Sequence, residues 1–260
     1  MSHHPFRHLP ALATQIRSAV ESRLRATDEV LAAWDAEARQ NGLGPCWRWS
    51  NDALETSRRA VMADHDVTQD LWIFAYGSLM WDPGLHFTEV RRASLTGYQR
   101  RFSCMTTLGR GTVDQPGLVL ALEPHAGACE GVVFRIDASV ADHESLLFWR
   151  REMILGGYQP VFLPVVTPQG PVRALTLRSN PGHPSHAAHL DLDDTAAIIA
   201  RACGSHGSNL DYLQQLADQL DRLDIEDGYV RDLLHRIDHK PPPGAAAFQV
   251  LDGPGSASPM

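Results

Sequence analysis

The stretch LWIFAYGSLM, at residues 71–80, decides the fold that we expect for this chain. Its first five residues are apolar or aromatic, which is typical of a short strand buried in a sheet. The strand is followed at Tyr76 to Leu79 by small residues that predict a tight turn. Such a turn can point successive backbone N–H groups into one hollow and bind an oxygen anion there. An ordinary turn explains the same residues, so this motif alone does not identify a site.

Two familiar kinds of glycine-containing loop do not fit this turn. A phosphate-binding loop is excluded because no Gly-Lys-Ser or Gly-Lys-Thr follows Gly77. A nucleophile elbow is excluded because Gly77 and Ser78 lack the G-x-S-x-G frame. We therefore do not predict that Ser78 is a nucleophile.

Five further segments after this motif have the composition of strands, and Gly and Pro separate them. They are residues 98–105, 118–122, 131–136, 161–166 and 172–177. A helix is predicted between them, with Ser139 as its N-cap and its end near Leu155. Three more helices are expected at residues 191–203, 209–223 and 229–237. Because most strands follow one another, the pattern predicts an α+β fold whose mixed or antiparallel sheet curls into a small barrel.

The segments that flank this region differ from it in composition. Residues 1–70 are predicted to be a helical N-terminal extension, in which Ile16, Val20 and Leu24 recur at helical spacing. Residues 71–240 are predicted to form the main folded domain. Residues 241–260 are rich in Pro, Gly, Ala and Ser, a composition that predicts a disordered tail.

Composition excludes several classes of partner. The 260-residue chain has a formal net charge of -8, whereas proteins that hold phosphate backbones are usually basic, so we expect no nucleic acid. No apolar run approaches the roughly 20 residues that span a bilayer, so we expect no membrane partner. The N-terminus also lacks the continuous apolar stretch of a secretory signal. An organelle transit peptide stays open, since the first twenty residues contain two arginines and no acid.

The cysteines and histidines give no sign of a disulfide framework or a metal site. The four cysteines lie far apart without a CxxC pair, which indicates a reduced, cytoplasmic location. The 13 histidines are scattered and lack the spacing of metal ligands. We therefore predict that the protein uses no metal.

One carboxylate of the predicted helix at 139–155 lies among apolar residues of the helix. On a helical wheel Glu152 lies beside Phe148 and Trp149 and away from the two arginines that precede it. The polar residues of the helix, among them Glu144, fall on the other half. Apolar neighbours and the negative end of the helix dipole should both raise the pKa of Glu152. A raised pKa suits a general base, although a surface glutamate paired with an arginine would have the same position.

Two other side chains are candidates for contact with a substrate. Arg110 lies beside a glycine in a loop and could bind a carboxylate through two hydrogen bonds, or could have no role. Tyr158 follows two glycines that a helix C-cap explains. Its hydroxyl could bind a substrate, or the ring could simply close the core.

In these residues and the motifs around them, the chain resembles the ChaC-like γ-glutamylcyclotransferases, a family historically linked by name to cation transport. The shared motifs occur in the family's order and cover about residues 71 to 236. They are Trp72–Trp81, Gly97-Tyr98 with Arg100–Phe102, Arg110–Thr112, Pro116–Leu120, Cys129 with Gly131-Val132, Arg151–Met153 with Gly156–Tyr158, and Gly207–Leu213.

The resemblance implies a mixed β-barrel with surrounding helices, a turn that binds the γ-glutamyl group, and Glu152 as the catalytic residue. The predicted substrate-binding residues are those of the turn together with three others: Ala75, Tyr76, Gly77, Ser78, Leu79, Met80, Arg110, Tyr158 and Tyr212. The family usually has glycine where this chain has Ala75. Because alanine tolerates a positive φ poorly, we expect the turn to differ slightly.

The activity that the resemblance implies is cleavage of glutathione to 5-oxoproline and Cys-Gly, through attack by the substrate's own α-amine. The partner would be a small molecule, the protein would need no cofactor, and the chain would be a monomer or a homodimer. Three alternatives stay open. They are a cyclotransferase for other γ-glutamyl amino acids or amines, a non-catalytic γ-glutamyl-binding or transport-regulating module, and a metal-dependent hydrolase that uses the histidines.

Overall fold

Five strands form a closed β-barrel in the order β1–β3–β2–β4–β5 in the computed structural model, which describes residues 4–239. The strands are β1 Leu71–Ala75, β2 Glu89–Thr106, β3 Gly117–Ile136, β4 Tyr158–Thr167 and β5 Gly170–Ser179. Strand β1 pairs antiparallel with β3 and parallel with β5, so the sheet is mixed. The predicted α+β class and mixed barrel are confirmed. The predicted disordered tail at 241–260 lies outside the described residues.

Strands β2 and β3 are longer than the sequence pattern predicts. They pair antiparallel along most of their length, with register shifts at 96–98 and 102–104. The predicted strands at 118–122 and 131–136 are the two ends of β3. Its middle is exposed and rich in polar and small residues, so it lacks the apolar signal of a buried strand. Backbone pairing with β2 nevertheless continues through Glu130 and Ala128.

Six α-helices surround the barrel in the part of the chain that the structure describes. They are α1 Asp28–Gln40, α2 Asn51–Met62, α3 Ala138–Glu152, α4 Leu192–Arg201, α5 Asn209–Arg222 and α6 Gly228–His239. The three helices predicted after the barrel are therefore confirmed. The N-cap of α3 is Asp137, whose side chain accepts from the Ser139 N–H, so the prediction of Ser139 as N-cap is wrong. None of the helices within residues 4–239 is long and apolar enough to cross a membrane.

Within the N-terminal extension, helices α1 and α2 are present as the helical composition predicts, but residues 13–27, where Ile16, Val20 and Leu24 recur at helical spacing, form no helix. Apart from a 3-10 helix at Pro10–Leu12, the chain before α1 consists of turns and irregular backbone. Ile16 is buried whereas Val20 is 86% exposed, so the three residues do not share one apolar face. The turns are held by tertiary contacts, such as the 2.8 Å bond from Arg17 N to Trp81 O. The first true helix of the extension begins at Asp28, after the Thr27 N-cap.

The N-terminal extension packs on helix α3 through buried polar contacts. Arg25 makes two 2.7 Å hydrogen bonds to Glu144, whose side chain is only 2% exposed. The helical wheel places Glu144 on the polar half of the helix, and this partner from a distant segment explains its burial. From α2, Arg58 donates to Ser145 at 2.9 Å, and Ser57 accepts from the Trp149 indole at 3.3 Å. Helix α3, which ends at Glu152, is therefore fixed by the extension.

Candidate active site

A cavity of about 770 Å³ lies between the barrel, the end of α3 and the N-terminal extension. Most of the predicted site residues line it, namely Tyr76, Gly77, Ser78, Leu79, Arg110, Glu152, Tyr158 and Tyr212. The structure therefore brings together residues that are more than one hundred positions apart in the sequence. Ala75 and Met80 are not among the lining residues, because both side chains are fully buried in the core.

The alanine that departs from the family pattern causes no strain. Ala75 is the last residue of β1, pairs with Val132 and does not have a positive φ. The difference in the turn that was expected from this substitution therefore has no basis in the backbone at Ala75.

The turn after β1 continues as a short 3-10 helix, Ser78–Met80. Met80 N donates to Gly77 O at 2.8 Å and closes this helix. A Cβ atom added to Gly77 would lie 3.1 Å from both Leu120 Cδ1 and Tyr212 Oη, so a side chain here would displace its neighbours. The first N–H groups of a helix have no acceptor within it, and here they lie in a segment that lines the cavity.

Glu152 is the last residue of α3, and its carboxyl group lines the cavity with only 15% of the side chain exposed. Burial raises the pKa of this carboxyl above its ordinary value, as predicted, while Arg151 acts in the opposite direction. The prediction that Glu152 lies away from the preceding arginines is wrong, since Arg151 Nε is 2.8 Å from Glu152 Oε1. A wheel gives only the direction of each Cα–Cβ bond, and a long arginine side chain can turn back to its neighbour.

Arg151 connects the Glu152 carboxyl to the glycine turn. Besides the ion pair, its Nη1 donates to Asp82 O at 2.7 Å and its Nη2 to Ser78 Oγ at 3.4 Å. The guanidinium side chain is 9% exposed. One arginine therefore fixes the position of the carboxyl group relative to the turn.

Three tyrosines shape the inner part of the cavity. Tyr76 Oη donates to Leu177 O at 2.7 Å, and Tyr158 Oη donates to Leu120 O at 2.9 Å. Burial raises the pKa of Tyr212 to about 12, with the Glu152 charge adding to the effect and hydrogen bonds with Ser78 opposing it. Burial raises the pKa of Tyr76 and of Tyr158 as well, so all three tyrosines stay protonated at neutral pH.

Arg110 supplies a second cation to the cavity. Its Nη1 donates to Ser208 O at 3.0 Å, and its guanidinium carbon lies 5.4 Å from the centre of the Tyr212 ring. Burial lowers the pKa of Arg110, which stays charged because an arginine titrates far above neutral pH. His206 lines the same cavity, and burial followed by the charge of Arg110 lowers its pKa.

Sequence reasoning missed several lining residues. Arg151 belongs to the Arg-Glu motif, which is the signal that could have assigned it a place in the site. Trp34 and Trp47 lie in the extension, and only the tertiary structure brings them to the cavity. Within residues 4–239, no group of three or more His, Cys, Asp or Glu residues could hold a metal ion.

Comparison with known proteins agrees with this fold. Residues 71–240 match the family described as ChaC-like protein. The glutathione-specific gamma-glutamylcyclotransferase of Escherichia coli K12 is 37% identical over 187 residues, which cover 72% of this chain and 80% of the relative. The glutathione-specific gamma-glutamylcyclotransferase 1 of Rattus norvegicus is 36% identical over 154 residues, covering 58% of this chain and 69% of the relative.

A solved structure shares the barrel. The selenomethionine-labelled crystal structure of a glutathione-specific gamma-glutamyl cyclotransferase from yeast superposes with a TM-score of 0.60 at 24% identity. The match covers 65% of this chain and 96% of the yeast chain, and it supports the fold alone. The family match over residues 71–240, together with the identity to the Escherichia coli protein, shows that this chain belongs to the ChaC-like family.

Proposed function

We propose that this protein is a γ-glutamylcyclotransferase that cleaves glutathione into 5-oxoproline and Cys-Gly. The observation that carries the proposal is the position of Glu152. This carboxyl group has a pKa raised by burial and shares one cavity with the glycine turn. The relatives at 36–37% identity carry the name of this activity, which supports the choice of substrate.

The proposed reaction begins with proton removal. Glu152 takes a proton from the α-ammonium of the γ-glutamyl group, and the free amine attacks the γ-carbonyl carbon. The new C–N bond closes a five-membered ring. Glu152 then returns the proton to the cysteinyl nitrogen as the original amide bond breaks. The ring nitrogen still carries one proton too many, and the same carboxylate passes it to the released amine. 5-oxoproline therefore leaves as a neutral lactam and Cys-Gly leaves with an ammonium group, so that atoms and charges balance. The raised pKa suits this exchange, because a general base works best when its pKa is near the working pH.

The other residues of the site act by holding the substrate and the carboxyl group. Arg151 orients Glu152, the N–H groups of the turn receive an oxygen of the substrate, and Arg110 binds one of its carboxylates. Positioning of this kind contributes up to about 7–11 kcal/mol, and proton transfer by a placed group contributes about 10²–10⁴-fold.

The proposed reaction needs no protein nucleophile, because the substrate amine fills that role. Cys104 lines the cavity, but burial raises the pKa of its thiol, which keeps it protonated and weakly nucleophilic.

The alternative function of a metal-dependent hydrolase is tested by removing metal ions with a chelator. We expect activity to be unchanged after dialysis against a strong chelator.

The proposal is tested by incubating the purified protein with glutathione and detecting the products by mass spectrometry. We expect 5-oxoproline and Cys-Gly in equal amounts. Release of glutamate in place of 5-oxoproline would indicate hydrolysis and would overturn the proposal. Faster turnover of γ-glutamyl amino acids or amines in a substrate panel would move the assignment to those compounds. Binding of glutathione without turnover would favour the non-catalytic module.

We further propose a cytoplasmic location and a monomeric or homodimeric state. All four cysteines are free, and two of them are buried, which is the state that a reducing compartment maintains. Cell fractionation tests the location, and analytical ultracentrifugation tests the oligomeric state.

A further inference from the structure

The N-terminal extension forms one wall of the cavity that contains Glu152. From this extension, helix α1 contributes Trp34, Glu37 and Ala38, and the residues after it contribute Asn41 and Trp47. None of these residues lies within 71–240, the part of the chain that matches the family. The cavity is therefore completed by residues to which the family match assigns nothing.

The loop after α1 is fixed close to Glu152. Trp49 N donates to Ile154 O at 2.9 Å, and Ile154 is only two residues beyond Glu152. The Trp49 indole lies so close to Gly156 that an added Cβ would be 2.4 Å from its Cζ2 atom. The main chain of the loop is therefore anchored to the segment that follows the carboxyl group.

Hydrogen bonds to helix α1 fix the same loop and orient the Trp47 ring. Arg48 binds Asp35 of α1 through Nε at 2.7 Å and Nη2 at 2.9 Å. Trp47 Nε1 donates to the same carboxylate at 2.9 Å. An aromatic ring held in this way loses little further entropy when a ligand packs against it.

Helix α1 lies across the cavity from the hairpin that contains His206. Glu37 of α1 interacts electrostatically with His206, which lies in the turn between the two short strands Cys203–Gly204 and Gly207–Ser208. Arg110 interacts with the same histidine. The α1 side of this space therefore carries tryptophan rings and the Glu37 carboxylate, and the opposite side carries the Arg110 cation.

We propose that α1 and the loop at 41–49 form the subsite for the part of the substrate beyond the γ-glutamyl group, and that they select γ-glutamyl peptides over simple γ-glutamyl amides. This inference rests on the proposed function, since it assigns the γ-glutamyl group to the glycine turn. The Trp34 and Trp47 rings suit a cysteinyl side chain, because sulfur packs favourably against aromatic rings. The Asn41 amide suits the next peptide group, since it both donates and accepts hydrogen bonds.

The test is binding calorimetry in the Glu152→Gln background, where the substrate is not consumed. The two probes are glutathione and L-glutamine, which carries the γ-glutamyl group on a bare amide. For Trp34→Ala we expect glutathione to bind about tenfold more weakly, as for the loss of one aromatic contact. Binding of L-glutamine should change by less than about twofold.

Gln40→Ala is the matched control, because Gln40 is exposed on the same helix and does not line the cavity. It should leave the binding of both probes unchanged. Asn41→Ala is the second test variant and keeps the experiment decisive if Trp34→Ala does not fold. Circular dichroism checks the fold of each protein.

The inference is overturned if the variants weaken both probes equally, if they weaken neither, or if glutathione binds no more tightly than L-glutamine. Its failure is distinct from that of the proposed function. If the wild type binds glutathione selectively but releases no 5-oxoproline, the proposed reaction is contradicted and the proposed subsite is not. If the wild type releases 5-oxoproline normally but the variants weaken both probes equally, only the subsite is contradicted.

Discussion

Arg151 Nε and Glu152 Oε1 lie 2.8 Å apart, so two residues that are neighbours in the chain form an ion pair inside the cavity. Burial of Glu152 favours the protonated carboxyl group, and the adjacent guanidinium favours the carboxylate. The balance of these two effects sets the pH range in which Glu152 can exchange a proton with a substrate.

Replacement of the carboxyl group should remove activity and leave the fold intact. Glu152→Gln keeps the size of the side chain and an oxygen that can accept from Arg151, but it cannot take up a proton at neutral pH. We expect the rate of 5-oxoproline release to fall about 10²–10⁴-fold. Glu226→Gln is the control, because Glu226 is exposed and is not among the residues that line the cavity. Equal rates for wild type and Glu152→Gln would contradict the assignment.

The pH profile should report the environment of Glu152. The base must be ionised, so kcat/KM should rise with pH and level off above the pKa of this carboxyl, which burial places above 4.5. Arg151→Met removes the group that lowers this pKa, so the acid limb should move to higher pH. Arg150→Met is the matched control, since Arg150 pairs with Asp28 instead. An unmoved limb in Arg151→Met would show that the ion pair does not tune the base.

A side chain at Gly77 should disturb the turn through Tyr212. The added Cβ of Gly77→Ala would lie 3.1 Å from Tyr212 Oη, so the tyrosine or the turn must shift. We expect a lower kcat/KM for glutathione. Tyr212→Phe removes that oxygen, so the double variant should lose less activity than the two single effects multiplied together. Strictly multiplicative losses would mean that the two residues act independently.

The buried ion pair between the extension and α3 should be costly to break. Arg25→Met leaves the Glu144 carboxylate buried without its partner, and we expect a loss of about 3–5 kcal/mol in the free energy of unfolding. The double variant Arg25→Met with Glu144→Gln removes the unpaired charge and should recover part of this loss. Denaturant titration measures both.

The control for this experiment is an exposed pair. Arg59 is 76% exposed and pairs with Glu55 one helical turn away, so Arg59→Met should cost less than about 1 kcal/mol. Similar losses for Arg25→Met and Arg59→Met would mean that burial adds nothing to the Arg25 pair.

The sequence pattern predicts the elements whose signal is local. The buried strand β1, the turn after it and the helices after the barrel all have periodicity or capping residues of their own. The predicted end of α3 near Leu155 lies three residues beyond the observed end at Glu152. The middle of β3 does not, because its exposed residues are held only by backbone pairing with β2. Ile16 lies at helical spacing from the next apolar residues, but it belongs to a segment of turns. Contacts with residues 71–82 stabilise these turns in place of a helix.

The same distinction applies to the candidate site. Glu152 and the turn at 76–79 lie in motifs that the sequence displays. Trp34 reaches the cavity only because α1 folds back on the barrel, and no residue near it in the sequence signals this. The burial of Glu144 likewise depends on Arg25, which lies 119 positions away. Pairings between distant segments have no local pattern and require the tertiary structure.

The shared core has a consequence for cutting or exchanging parts of this protein. Leu12 and Leu54 belong to the same apolar cluster as Leu71 and Trp149. A polypeptide that started at residue 71 would expose one side of α3 and leave its acidic residue Glu144 without a counterion. Chimeras that exchange the barrel with that of a relative would need to transfer the preceding segment with it, as one inherited unit.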